Sequence, residues 1–261
     1  MHAASGLRGG MRFWSALVKP RIFLVAVLIW NGMMKRYLSL CFPDWPLTRW
    51  RRTKTLRRTV SSDHKRVSSD TDRAVVPFVL VEAGAHGLRV AAANAAARNI
   101  GIGEGLAFTD AKARAPSLCH EDIDRAADTR ALEALAEWMI RFAPLVAIDG
   151  LDGVMLETTG CDHLYGGEAG MLKEIAQILK RERIPHRVGL ASTQVAAAAL
   201  ARGASGRILP AGAEKDGLAD LPISTLRVSE AAETLLRRFG LNKIGQLYGI
   251  DRKALARRFQ S

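Results

Sequence analysis

Two apolar, β-like runs stand back to back in the middle of the chain, APLVAIDG ending at Gly150 and LDGVMLETTG running from Leu151 to Gly160. Each carries an acid followed by glycine, Asp149–Gly150 and Asp152–Gly153. Burying a carboxylate among apolar side chains is costly unless it is paired. An acid set inside such a run therefore usually holds a metal or does chemistry. The function of a chain with this feature turns on what stands beside Asp152.

The flanking sequence alternates between strand and helix patterns. RYLSLCF, from Arg36 to Phe42, reads as a strand ended by Pro43, and PFVLVE after Pro77 as a second buried strand. RVAAANAAARNIGIGEG reads as an Ala-rich helix ending at the glycines of GIG, followed by a second helix stopped by Pro116. From Asp128 to Phe142 a helix places Leu132, Leu135, Met139 and Phe142 on one face, with Asp128 or Thr129 as its cap. From Glu168 to Arg181 another does so with Leu172, Ile175 and Leu179. HRVGLAS then gives a strand and Thr193 to Arg202 an Ala-rich helix, so the pattern predicts an α/β fold, a sheet covered by helices. After Pro222 the texture changes to short helices. One has Leu235, Leu236 and Phe239 buried and stops at Gly240, and a second begins soon after, together reading either as a plain helical pair packed on the rest or as a helix-hairpin-helix unit, whose turn amides, here near Lys243, commonly meet a DNA phosphate.

The chain has 261 residues, 48% of them hydrophobic, enough for one large domain or two small ones. Its formal charge of +12 favours a polyanionic partner. The densest basic run, TRWRRTKTLRR, holds Arg49, Arg51, Arg52, Lys54, Arg57 and Arg58 with no acid and passes into a Ser/Asp-rich stretch. With no period of 2 or 3.6, the segment 49–74 reads as a basic loop that contacts phosphates or is simply solvated. The three cysteines, Cys41, Cys119 and Cys161, form no Cys-x-x-Cys pair, which argues against a disulfide framework or zinc ribbon and for a reducing cytoplasm. The run Ile22 to Trp30 is apolar but too short to span a bilayer, and two methionines, Met33 and Met34, precede the first strand. Residues 1–33 are read as a non-native leader or overlong start, with a true signal or anchor as the rival.

The order of strand, Ala-rich helix with ARNIGIGEG, LDGVMLETTG, RVGLASTQVAAAALA and helical hairpin resembles the Y-family (UmuC-like) translesion DNA polymerases from Met34 to Ser261. FPDWPL and TGCDHLYGGE bring it closest to the catalytically degenerate ImuB type within that family. The resemblance implies palm and fingers over 34–220 and a partial helix-hairpin-helix thumb over 221–261, with the little finger outside the chain. Active members need carboxylates that hold two Mg²⁺. They carry two on the first strand and an Asp-Glu pair on the central hairpin, and here the first strand offers Ser39 and Cys41, while Asp152 is followed by Gly153. The triphosphate-gripping Tyr-x-x-Arg appears as Ala95 and Arg98, and the expected helix lysine as Ala198. The resemblance thus implies a non-catalytic, DNA-binding scaffold of error-prone repair, acting in the SOS response and mutagenesis and needing no cofactor. The charge pattern, read as phosphate-contacting, offers Arg51, Arg52, Lys54, Arg57 and Arg58 as its candidate DNA contacts, and the helical hairpin offers Lys243. The scaffold's implied partners are a replicative-type error-prone polymerase, a RecA-like accessory protein and, through the absent C-terminal region, the β sliding clamp, with no stable membrane association. One rival is an active Mg²⁺-dependent polymerase recruiting Asp44, Asp149 or Glu157. A second is a membrane-tethered or secreted α/β protein.

Overall fold

The computed structural model describes residues 34–60 and 76–250, with the side chains of 55–60 left out. The apolar run at 22–30, the Ser/Asp-rich stretch at 61–75 and the last eleven residues, 251–261, lie outside the described residues. In chain order the elements are β1 (Tyr37–Cys41), α1 (Trp45–Val60), β2 (Phe78–Gly84), β3 (Gly87–Ala93), α2 (Ala95–Asn99), α3 (Phe108–Arg114) and β4 (Cys119–Asp122). There follow α4 (Arg125–Met139), β5 (Leu145–Ile148), β6 (Gly153–Glu157), α5 (Glu168–Arg181), β7 (Arg187–Ala191), α6 (Gln194–Gly203), β8 (Arg207–Ile208), α7 (Glu214–Leu218) and α8 (Glu230–Arg238). Short 3-10 turns stand at Asp162–Tyr165, Ile223–Leu226 and Ile244–Leu247. The described residues divide into two compact units, one of residues 34–45 with 124–250 and one of residues 46–60 with 76–123.

The first unit is built on a five-stranded sheet in the order β5-β6-β1-β7-β8, with β1 antiparallel to both neighbours. The pleat sends alternate side chains to opposite faces. Leu38 and Leu40 join Val154, Leu156, Val188 and Leu190 on one face, which α4 covers with Leu132 and Met139 and α5 with Met171, Ile175 and Leu179. Each such fully buried side chain contributes about 1.5–3 kcal/mol. Ser39 and Cys41 point to the other face, where Met155 and Ala191 pack on the alanines of α6. Gly189 makes that packing close, because a Cβ there would stand 2.5 Å from Leu200 Cβ and 2.7 Å from the Ala197 carbonyl. Arg36 fastens the ends of this unit. Its guanidinium grips both carboxylate oxygens of Glu168, and donates to Ser192 Oγ at 3.0 Å and the Leu209 carbonyl at 2.8 Å.

The second unit holds a three-stranded sheet in the order β3-β2-β4, with β2 antiparallel to β3 and parallel to β4. Val79, Val81, Val90, Ala97, Ile102, Ala111 and Leu118 fill one side, and Leu80 and Ala92 pack with Leu47 and Trp50 on the other.

Several sequence expectations hold. The helix at Glu168–Arg181 has the anticipated bounds and buries Leu172, Ile175 and Leu179, and the Ala-rich helix expected at 193–202 is α6, with Thr193 accepting from Ala196 N–H as its cap. Others are corrected. RVAAA is strand β3, because its backbone pairs with β2 and this pairing overrides alanine's helix preference. The helix begins only at Asn94, whose side chain accepts from Ala97 N–H at 2.9 Å. The basic loop at 49–74 is helical as far as Val60: Leu47 and Trp50 anchor its start in a core, and Arg, Lys and Leu are good helix formers. Its remaining residues are almost all polar, so no apolar stripe announces the helix. The cap of α4 is Asp124, not Asp128 or Thr129. Leu236 is buried as expected, but Phe239 is 54% exposed.

Candidate functional site

The central hairpin turns through Asp149-Gly150-Leu151-Asp152 between β5 and β6. Asp149 N–H donates to the Gly153 carbonyl at 2.9 Å, and Gly150 takes a left-handed φ of 73°. Phe42 N–H donates to the Asp152 carbonyl at 2.7 Å, which ties the end of β1 to the hairpin and brings Cys41 beside Asp152. The Cys41 thiol donates to Asp152 Oδ2 at 3.6 Å. Burial, and next the Asp152 carboxylate, push the thiol up to about 11, so it stays protonated at neutral pH. Ser39 is wholly buried, with no hydrogen-bond partner for its hydroxyl.

Two arginines complete the cluster, and neither was among the sequence candidates. Arg227 follows the Ile223–Leu226 turn with a left-handed φ of 54°. Its Nη1 donates to Asp149 Oδ1 at 2.7 Å and to the Asp149 carbonyl at 3.0 Å, and its Nη2 donates to Asp152 Oδ1. Gly150 forms the bed for this guanidinium, since a Cβ there would lie 2.7 Å from Nη2. Arg202, at the end of α6, places Nη2 3.6 Å from Asp149 Oδ2 and 3.5 Å from Asp152 Oδ1. Those distances make ion pairs but not hydrogen bonds, in keeping with Asp149 Oδ2 and Arg202 Nη2 being buried atoms without a hydrogen-bond partner. Arg202 therefore acts through space as a charge. It stands one helical turn beyond Ala198, to whose carbonyl it also donates at 3.3 Å. Reading the helix at i+4 from the missing lysine would have found it. Arg227 has no such signal, being a loop residue 75 positions from Asp152.

These groups do not fit a pair of Mg²⁺ ions, which require near-octahedral oxygen coordination. Both carboxylates already face guanidinium groups, the first strand contributes a soft, protonated thiol, and Gly153 has no side chain. Among the described residues no group of three or more His, Cys, Asp or Glu is arranged to hold a metal. Of the three substitute carboxylates, only Asp149 is seen beside Asp152. Glu157, at the far end of β6, pairs with Lys35 at 3.5 Å, and Asp44 stands in the left-handed turn beyond Pro43.

The remaining candidates lie elsewhere. Arg98, on α2, donates to the Ala93 carbonyl at 2.7 Å, and Ala95 opens the same helix. Arg51, Arg52 and Lys54 lie on α1, where Lys54 pairs with Glu121 at 3.0 Å, and Arg57 and Arg58 follow on the same helix with side chains outside the described residues. In the C-terminal hairpin, Gly240 ends α8 with φ 73°, as expected. The turn amides are committed within the chain: those of Asn242 and Lys243 donate to Gln246 Oε1 at 2.7 and 2.9 Å, and that of Ile244 to the Leu221 carbonyl. Lys243 Nζ pairs with Asp220 at 2.9 Å. No helix of the described residues is long and apolar enough to cross a membrane.

A sheet whose first strand lies antiparallel between the hairpin strand and β7, with acids at the hairpin tip facing the end of β1, is a polymerase-type palm, and the three-stranded unit corresponds to the fingers. The fold is that of the Y-family polymerases: the crystal structure of DinB from Sulfolobus solfataricus superposes with a TM-score of 0.63 at 17% identity, over 85% of this chain and 62% of that one. The insertion ternary complex of Dbh DNA polymerase gives 0.62 at 16% identity, over the same shares. The chain belongs to the impB/mucB/samB family, whose model matches residues 68–202. It is 47% identical over 161 residues to the protein ImuB of Caulobacter vibrioides, covering 61% of this chain and 35% of that protein. To DNA polymerase IV of Dehalococcoides mccartyi it is 31% identical over 166 residues, covering 62% of this chain and 43% of that one. The chain thus spans well under half the length of the curated relatives it matches.

Proposed function

We propose that this chain is a non-catalytic, DNA-binding scaffold of an error-prone translesion synthesis and repair assembly, derived from a Y-family DNA polymerase. The observation that supports this reading is the state of the hairpin acids. Asp149 and Asp152 are neutralised by Arg202 and Arg227 where active relatives are expected to hold metal ions, and a buried thiol stands on the strand expected to supply further carboxylates. Phosphoryl transfer depends almost wholly on positioning and on electrostatic stabilisation of the phosphates, and the cluster presents no spare carboxylate for a bridging ion. The family and its net charge of +12 favour DNA as the ligand, with a cytoplasmic location, and a replicative-type error-prone polymerase, a RecA-like protein and the β sliding clamp as partners. Arg51, Arg52, Lys54, Arg57, Arg58 and Lys243 would supply phosphate contacts.

The second reading, an active polymerase using Asp149 as substitute ligand, draws on the closeness of Asp149 to Asp152, and requires Arg227 to leave both. Primer extension on a primed template with Mg²⁺ or Mn²⁺ decides between them. The expected result is no nucleotide addition above background. Extension that Asp152→Ala abolishes would establish the active reading.

A further inference from the structure

The outer side of α5 opens into a groove of about 560 Å³ at the point where the helix gives way to the segment leading into β7. Three cations, Lys173, Lys180 and Arg183, stand around it, and Ala176, Ile184 and Pro185 supply apolar wall. Lys173 and Lys180 are seven residues apart, so they lie on one side of the helix about two turns from each other. All three cations are exposed, and among the described residues none of them is held in an ion pair. That sets them apart from Lys35, Arg36, Lys54, Arg202, Arg227, Arg237 and Lys243, each of which faces a carboxylate.

Arg183 supplies a second observation. α5 ends in a Schellman-type closure, with Ile184 N–H donating to the Leu179 carbonyl at 2.9 Å and Arg183 N–H to the Lys180 carbonyl at 3.0 Å. The residue at that position takes a left-handed conformation, φ 55°, for which glycine is the usual choice because a Cβ is disfavoured there. The helix terminus does not itself need a long side chain at this point, and the one present adds its charge to the groove.

We propose that this groove docks an acidic peptide segment of a partner protein, with an aliphatic side chain of the segment seated against Ala176, Ile184 and Pro185 and its carboxylates meeting Lys173, Lys180 and Arg183. Charge complementarity selects an anionic occupant, and the apolar wall selects one with apolar side chains. A single-stranded nucleic acid is the less suited anion, since His186 is the one aromatic ring on a wall otherwise aliphatic and polar, and no Phe, Tyr or Trp lines it to stack successive bases. Because α5 covers the Leu38/Leu40 face of the sheet, the docked segment lies on the opposite layer from Cys41 and α6 and would not compete with a ligand at the hairpin acids.

The test is fluorescence anisotropy of the full chain with a short labelled peptide of alternating leucine and glutamate, beside a serine–glutamate peptide and labelled oligo-dT. The leucine–glutamate peptide should bind more tightly than the serine–glutamate one. Its affinity should fall at least about tenfold, or 1.4 kcal/mol, in the double variant Lys180→Glu/Arg183→Glu, and fall likewise in Ala176→Trp, which fills the groove without changing charge. Arg183→Gly should weaken binding while raising Tm, an outcome that loss of folding cannot produce. Equal binding of both peptides, or binding indifferent to these variants, would overturn the proposal. So would oligo-dT displacing the peptide and losing affinity through the same substitutions, which would make the groove a nucleic-acid contact.

Discussion

Cys41 carries, at the scale of one residue, a prediction that follows from the protonated thiol beside Asp152. Its folded-state value, pushed up to about 11 from 9.0, means that the fold favours the neutral thiol. The stability this supplies is fully present below pH 9.0 and is lost as pH rises through about 11. Denaturant unfolding at pH 8 to 11 should therefore show the chain losing on the order of 2 kcal/mol more than its Cys41→Ala variant across that window; parallel curves would refute the assignment. Gly153 carries a second, by geometry. A Cβ there would stand 2.8 Å from the Asp149 carbonyl and 3.0 Å from the Leu40 carbonyl, both backbone atoms. Gly153→Glu should leave primer extension absent and lower stability by about 1–3 kcal/mol, as overpacking of a filled site does. Restored synthesis from that one change would mean that the hairpin opens easily and the arginines are loosely held.

Among elements, the central contact is between the hairpin and the segment after Pro222. Arg227 reaches Asp149 twice and Asp152 once, across a flat glycine that no other residue could replace without displacing the guanidinium. The side chains are partly exposed, 33% for Arg227 and 25% for Asp149, so the pair is worth less than a fully buried one. A double-mutant cycle on Arg227→Ala and Asp149→Ala should give a coupling of about 1 kcal/mol, reduced in high salt. Zero coupling at low salt would show the contact to be energetically idle. Arg202 enters the same cluster from α6, so a helix, a loop and a hairpin are all held by the same two acids.

For the whole molecule the dominant property is charge. On the proposed DNA-binding reading, a net +12 makes the association largely a matter of counterion release, with little sequence preference and a steep fall in affinity as salt rises. The finding that Arg51, Arg52, Arg57 and Arg58 ride on helix α1 gives this a geometry. Replacing these four with alanine should reduce the salt slope by about one for each phosphate contact removed. An unchanged slope would place the DNA surface elsewhere on the chain.

The sequence alone determined the elements whose own residues dictate them. The α5 periodicity, the Ala-rich run of α6, the stop at Gly240 and the alternating β1 side chains are local, so residues a few positions apart suffice to specify them. It also showed that the first strand has no acid and that glycine follows Asp152. What it left open depended on partners distant in the chain. RVAAA became a strand only because β2 was there to pair with it, and α1 became visible only through the core that Leu47 and Trp50 enter. The charge state of the site belongs to the same class. Two arginines, 50 and 75 residues beyond Asp152, reach its carboxylate only when α6 and the turn after Leu226 fold against the hairpin, because an ion pair is set by distance in space and leaves no periodic trace in the order of residues.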